Sequence, residues 1–174
     1  RPQGVPNPNA NGNAWFVSDL KFGNNPNEEI ASLGTIDSKK TAVINIEDKK
    51  YFEGKNLQAD SSATINLTKY EPNELEFKSN SKTPQLAVFS EIYYPHGWKI
   101  SVDGKEVDYV KADYLLRAVH VPAGTHNIKM VFEPQVIETG KWISLICFAL
   151  FILLSGAGIY FVSRRKDHKT ISID

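Results

Sequence analysis

Cysteine is nearly missing: the only one in 174 residues, Cys147, lies inside an apolar stretch near the C-terminus. No disulfide can form within one chain, and no cysteine-based metal site can be built. A cysteine-free domain ahead of that stretch fits a bacterial envelope protein stabilised by its core. Net charge is missing as well, with 20 bases against 20 acids. No basic field recruits nucleic acid and no acidic block forms a solvating tail, so a nucleic-acid partner is excluded. Internal repeats and low-complexity tracts are absent. Catalytic signatures are missing too: no GxSxG elbow, no phosphate-cradling glycine loop, no HExxH, and no carboxylates paired in an apolar setting. Of the four histidines, His120 and His126 straddle a tight turn and are expected to face each other across a hairpin. Two imidazoles without a third fixed ligand fall short of a zinc site, and no metal is expected.

What is abundant is apolar length. From Trp142 to Val162 the chain reads WISLICFALFILLSGAGIYFV with no charge. As a helix rising ~1.5 Å per residue, this stretch measures about 32 Å, enough for a hydrocarbon core of roughly 30 Å. Trp142 stands at one end and Tyr160 and Phe161 at the other, where amphipathic rings favour the membrane interface. Ser155, Gly156, Ala157 and Gly158 form a run of small residues that lets another helix backbone approach closely. Arg164, Arg165, Lys166 and Lys169 follow the span, against Lys141 alone just before it. By the positive-inside bias, the 163–174 tail is cytoplasmic and the domain ahead of the span lies outside the cytoplasm.

An exported domain of about 140 residues is large enough for one sizeable core but needs an export signal of its own. No basic n-region and no apolar h-region stand near Arg1. The expectation is therefore that Arg1 is not the biological N-terminus, and that upstream transmembrane helices of a longer chain deliver the domain. A processed single-span protein and a tail-anchored cytoplasmic domain are the alternatives. The basic tail weighs against the second.

Along the chain, residues 1–13 are rich in Pro, Asn and Gly and form a connector. Residues 14–138 are expected to be one domain. Asn25, Pro26, Glu28 and Glu29 spell a helix start, with Ile30 and Leu33 toward the core and Gly34 as the stop. First-turn position accounts for both glutamates. The rest is strand-like: Ala14–Val17, Thr41–Ile46, a hairpin of Thr64–Thr68 and Glu74–Lys78 around Glu71-Pro72-Asn73, and a central strand at Leu86–Ile92. Trp98–Val102 turns through Asp103-Gly104 into Lys105–Val107, and Leu115–Val121 turns through Pro122-Ala123-Gly124 into His126–Phe132. Seven or eight strands with one short helix point to a mainly β, antiparallel, jelly-roll-like sandwich, followed by a single membrane helix at 142–162.

The segment Glu91-Ile92-Tyr93-Tyr94-Pro95-His96-Gly97-Trp98 stands out in composition. In one reading Trp98 or a tyrosine offers a stacking face for a glycan and Glu91 a polar anchor. In the other, the strand kinks at Pro95-Gly97 and buries Tyr93 and Trp98, because aromatic side chains dominate cores. Trp98 is expected to be structural and Tyr94 to turn outward as the better contact. Arg117 is placed to reach an anionic group or, as a structural element, to pair with Asp103, Asp108 or Asp113.

Several stretches together resemble the C-terminal region of YfhO-type bacterial membrane proteins, most of all their Bacteroidetes members. They are Gly12–Val17, Asn27–Ile30, Ser90–Pro95, Gly97–Lys99, Val102–Val107, Ala112–Ala118 and Val121–His126. The resemblance spans roughly Asn11 to Val162. It implies a polytopic protein similar to the GT-C glycosyltransferases, which take a polyprenyl-phosphate-linked sugar donor and act at the outer face of the cytoplasmic membrane on cell-envelope glycans. Their acidic catalytic residues sit in early extracytoplasmic loops, and nothing in this sequence corresponds to those loops. A membrane-anchored module that binds glycan or a partner protein is the reading from a different class.

Overall fold

The computed structural model describes residue 7 and residues 9–169. Parts of the expected connector and of the expected tail therefore lie outside the described residues. Two units are present, one ending at Glu133 and one beginning at Pro134. In chain order the elements are β1 (Ala14–Val17), β2 (Asp19–Gly23), α1 (Pro26–Leu33), β3 (Thr41–Asn45), a 3-10 helix (Ile46–Phe52), β4 (Thr64–Glu71), β5 (Glu74–Ser81), β6 (Gln85–Ile92), β7 (Trp98–Val102), β8 (Lys105–Glu106), β9 (Val110–Ala112), β10 (Leu116–Val121), β11 (Gly124–Phe132) and α2 (Gln135–Lys169).

The strands form two sheets, ordered β1-β6-β10-β9-β3-β2 and β4-β5-β11-β7-β8. Alternation along β5, β7 and β11 turns Leu75, Phe77, Ile100, Ile128 and Met130 toward Ala87, Phe89, Val119 and Val121 of the first sheet. The rings of Phe77 and Phe89 meet edge to face, 4.9 Å apart. Each fully buried side chain of this size contributes on the order of 1.5–3 kcal/mol. The opposite face of the first sheet is also covered. Val17, Ile44, Leu86, Val88 and Ala118 lie there beneath Tyr51, Phe52 and Leu57. Burial on both faces is why β6 is apolar at consecutive positions, as its sequence announces.

All neighbouring strands are antiparallel except β2 and β3. That pair is parallel because α1 carries the chain back between them, as a parallel connection requires. The Pro122–Gly124 turn does not close a hairpin. Strand β10 already has β6 and β9 on its two edges, so β11 joins the other sheet. The turn thus crosses between sheets, and His120 and His126 are not hairpin partners.

Helix α1 begins as its sequence dictates. Oδ1 of Asn25 accepts from the Glu28 amide at 3.0 Å, and Glu28 in turn accepts from the Asn24 amide. Its facing differs from expectation. Ile30 is 50 % exposed, while Glu29 is only 1 % exposed. Gly23 lets the helix lie close on the sheet: a Cβ there would stand 2.9 Å from Cγ of Glu29. The carboxylate is held by Asn45 and Lys111, so helix-dipole position alone does not account for Glu29.

The second unit is α2. Its stretch Thr139–Arg164 is long and apolar enough to cross a membrane and is buried nowhere. Trp142, Ser155, Gly156, Gly158 and Tyr160 all lie on it, and the Tyr160 and Phe161 rings meet at 5.8 Å.

Candidate functional site

The β6–β7 connection brings the singled-out aromatic residues together at one end of the sandwich. Strand β10 positions Arg117 on the inner face of its sheet, where it is 98 % buried. Its Nη2 donates to the Ile92 carbonyl at 2.6 Å, and its guanidinium carbon lies 4.3 Å from the centre of the Trp98 ring. No Arg117 ion pair occurs among the described residues, so the expected partnership with Asp103, Asp108 or Asp113 does not form. Asp113 instead accepts from the Val43 amide at 2.8 Å. Asp103 pairs with His126, on the far side of the β7–β8 turn. Burial lowers the Arg117 pKa from its ordinary value, opposed by the Tyr109 hydroxyl and Glu91.

Around this cation the rings form a chain of contacts. Trp98, half-buried, leans on Phe132 with centroids 5.2 Å apart. Tyr94, half-exposed, touches Phe132 at 6.3 Å and His96 at 5.8 Å. Tyr93 meets Tyr109 at 5.8 Å, and the Tyr109 hydroxyl donates to the carbonyls of Trp98 and Tyr94. Burial raises the Tyr109 pKa, so the phenol stays protonated and a donor. Glu91 is half-buried near the end of β6. All five residues singled out from sequence, Glu91, Tyr93, Tyr94, Trp98 and Arg117, therefore share one locality. Tyr109 and Phe132 belong to it as well and carry no local signal, because each arrives from a distant strand or loop.

A concave region elsewhere on the domain was not legible. At the opposite end a cleft of about 710 Å³ is lined by Tyr51, Lys55, Asp103, Asp108, His120 and His126, among others. Nδ1 of His126 lies 2.6 Å from Oδ2 of Asp103, and its Nε2 lies 3.1 Å from the Ala123 carbonyl. Both partners accept, so the protonated ring satisfies both. The Asp103 carboxylate accordingly raises the His126 pKa. The Tyr51 hydroxyl donates to the Asp108 carbonyl and accepts from the His120 amide, and Lys55 sits 3.0 Å over the Tyr51 ring. Burial lowers the pKa of His120 and of Lys55. Among the described residues no group of three His, Cys, Asp or Glu is arranged to hold a metal ion. The cleft offers hydrogen-bonding groups and paired charges, a surface chemically able to hold a polar, hydroxylated ligand.

A family model described as Bacterial membrane protein YfhO matches residues 34–144, more than half of the chain. No curated protein and no solved structure matches.

Proposed function

The chain belongs to the YfhO family of bacterial membrane proteins, and from that premise we propose that it is the C-terminal accessory domain and last membrane helix of a polytopic glycosyltransferase. The enzyme takes a polyprenyl-phosphate-linked sugar as donor substrate and modifies cell-envelope glycans. The domain itself does not carry the transferring residues; those belong to loops between upstream helices. It shapes the acceptor side of the site or steadies the membrane part. The observation that carries this reading is the family match, which runs from the end of α1 through the sandwich into the start of the apolar helix. In the proposed topology the sandwich lies outside the cytoplasmic membrane and the basic tail inside, as the charge asymmetry around the span favours. Upstream helices of the same protein are the proposed partners of the Ser155–Gly158 face.

The test is transfer of radiolabelled sugar from a polyprenyl-phosphate donor to envelope glycan by the complete membrane protein in vesicles. Turnover that falls when the acceptor side is altered, as by Tyr94→Ala, supports the reading. Turnover indifferent to every change in the sandwich would remove the acceptor role. A membrane-anchored binding module is the second reading, favoured by the cleft around Tyr51 and His126. Glycan capture by this chain alone, with no donor turnover in the complete protein, would establish it instead.

A further inference from the structure

Exposed large apolar side chains are unevenly spread over the sandwich. Among the described residues seven occur in the first unit: Ile30, Ile46, Tyr70, Ile92, Tyr94, Tyr114 and Leu115. Strand register places the last five at one end. Tyr70 precedes the β4–β5 turn, Ile92 and Tyr94 open the β6–β7 connection, and Tyr114 and Leu115 form the β9–β10 turn. Backbone bonds join these turns to one another and to the strand that leaves the domain. The Tyr93 amide donates to Leu115, the Phe132 amide to Asn73, and the Glu133 amide to Gly97. Ile30 and Ile46 follow the opposite ends of β2 and β3.

This end is also where the chain departs. Only Glu133 and Pro134 separate β11 from α2, and the apolar stretch begins at Thr139. Three extended steps of ~3.5 Å and four helical steps of ~1.5 Å limit the distance from Phe132 to Thr139 to about 17 Å. The headgroup layer occupies roughly 5–8 Å on each side of the hydrocarbon. A cluster of tyrosines, Ile and Leu held within that reach has the composition that partitions into the interface, where a ring stays apolar and its hydroxyl stays wet. Exposed apolar side chains gathered at one end of a folded domain mark a contact surface.

We propose that the Tyr70–Ile92–Tyr94–Tyr114–Leu115 end is a membrane footing, its side chains seated in the headgroup layer of the bilayer that α2 crosses. The footing rests on membrane association alone and is independent of glycosyl transfer. It restrains the domain's tilt on its short tether and holds the cleft around His126, at the other end, away from the lipid.

The full chain, with Cys147→Ala, is reconstituted in phosphatidylcholine–phosphatidylglycerol vesicles. Single cysteines at Ile92, Leu115, Ile46 or Lys105 carry an environment-sensitive fluorophore. All four positions are exposed, so each variant is expected to melt like the parent, which circular dichroism checks. Lipid bearing a quencher near its headgroup should quench the labels at 92 and 115 severalfold more than those at 46 and 105. Iodide should show the reverse order. Rim labels as open to iodide as the Ile46 control would overturn the footing. Rim labels shielded from iodide yet untouched by lipid quencher would overturn it too and assign the end to a protein partner.

Discussion

Asn45 donates its side-chain amide to Oε1 of Glu29 at 2.6 Å, tying α1 to the end of β3. The other carboxylate oxygen accepts no hydrogen bond and faces Nζ of Lys111 at 3.5 Å. A buried carboxylate in this position orders three elements at once: helix, parallel strand and β9. Glu29→Ala strands the Asn45 amide and uncouples Lys111, whose own side chain is still 29 % exposed. We expect a loss of about 2–3 kcal/mol, below the range for a wholly buried pair. Glu29→Gln keeps the Asn45 bond and should lose about 1 kcal/mol. Thermal melts decide it; an alanine variant as stable as the parent would mean the helix is held by other contacts.

Trp98 and Arg117 act as a unit in the inter-sheet core. Trp98→Ala should lower stability by about 3 kcal/mol, the low end for a large aromatic because the ring is only half-buried. Tyr94→Ala should stay within about 0.5 kcal/mol, as for surface positions generally. Nε and Nη1 of Arg117 are buried without a hydrogen-bond partner. Arg117→Met keeps the packing and removes those groups, but it also gives up the bond to the Ile92 carbonyl and the contact with the Trp98 ring, and should lose about 1–2 kcal/mol. A double cycle of Trp98→Ala with Arg117→Met should give a coupling of about 1 kcal/mol, the ring–cation contact. Additive losses would show that the stacking contributes nothing.

The His126–Asp103 pair sets a pH dependence. The Asp103 hydrogen bond raises the His126 pKa, so its contribution is complete below the ordinary imidazole value of ~6.5 and fades as pH rises through the raised one. The bond from His126 lowers the Asp103 pKa, so that contribution is complete above ~3.9 and fades as pH falls through the lowered one. The pair is fully formed between about pH 4 and 6.5. Melting temperature should fall between pH 5.5 and 8.5, and Asp103→Asn should flatten that fall. A variant with the parent's full pH response would place its origin elsewhere.

Topology is open to direct chemical test. With Cys147→Ala as background, a cysteine at Ser172 in the basic tail should resist a membrane-impermeant thiol reagent in intact cells. A cysteine at exposed Lys105 should react. Ser81, only 6 % exposed, would be a poor probe despite lying in the same domain. The reverse labelling pattern would invert the proposed orientation.

Gly156 and Gly158 have nothing within 4 Å of where a Cβ would stand. Gly156→Leu therefore strains nothing within this chain, and leucine is a better helix former. A drop in the yield of folded complete protein would consequently report a closely packed neighbouring helix. Unchanged yield with loss of a self-associated dimer would point to a second copy as that neighbour.

Much of the sandwich was legible in local signals. Asp103-Gly104 marked the β7–β8 turn, and both residues adopt positive φ there, at 50° and 80°. Continuous apolarity marked β6 as central, and Asn25-Pro26 with Glu28 marked the start of α1. Three elements escaped: β2, β9 and the 3-10 helix. Strand β2 alternates polar with apolar residues over only five positions, and β9 has three. Strand β2 draws its partner β3 from beyond α1, which no local pattern records, and β9, although it pairs with the next strand β10, is too short to show alternation.

The candidate site divides along the same line. One contiguous stretch supplies Glu91, Tyr93, Tyr94 and Trp98, so composition alone could single it out. Tyr109 and Phe132 complete that locality from elsewhere, and the cleft gathers Tyr51 with Lys55, Asp103, and His126 from three separate segments. Nothing about their spacing forecasts the meeting.

By itself the sequence determined the long apolar helix, the β class and most strand positions, because apolar length, alternation and turn chemistry act over a few residues. Tertiary structure alone decided which sheet each strand joined, which face α1 buried, and which groups Arg117 and His126 met. Those choices depend on edges already filled and on charges brought together from dozens of residues apart. Glu29 shows the difference: its position in the chain suits a helix start, but only the sheet beneath it makes that carboxylate a buried anchor.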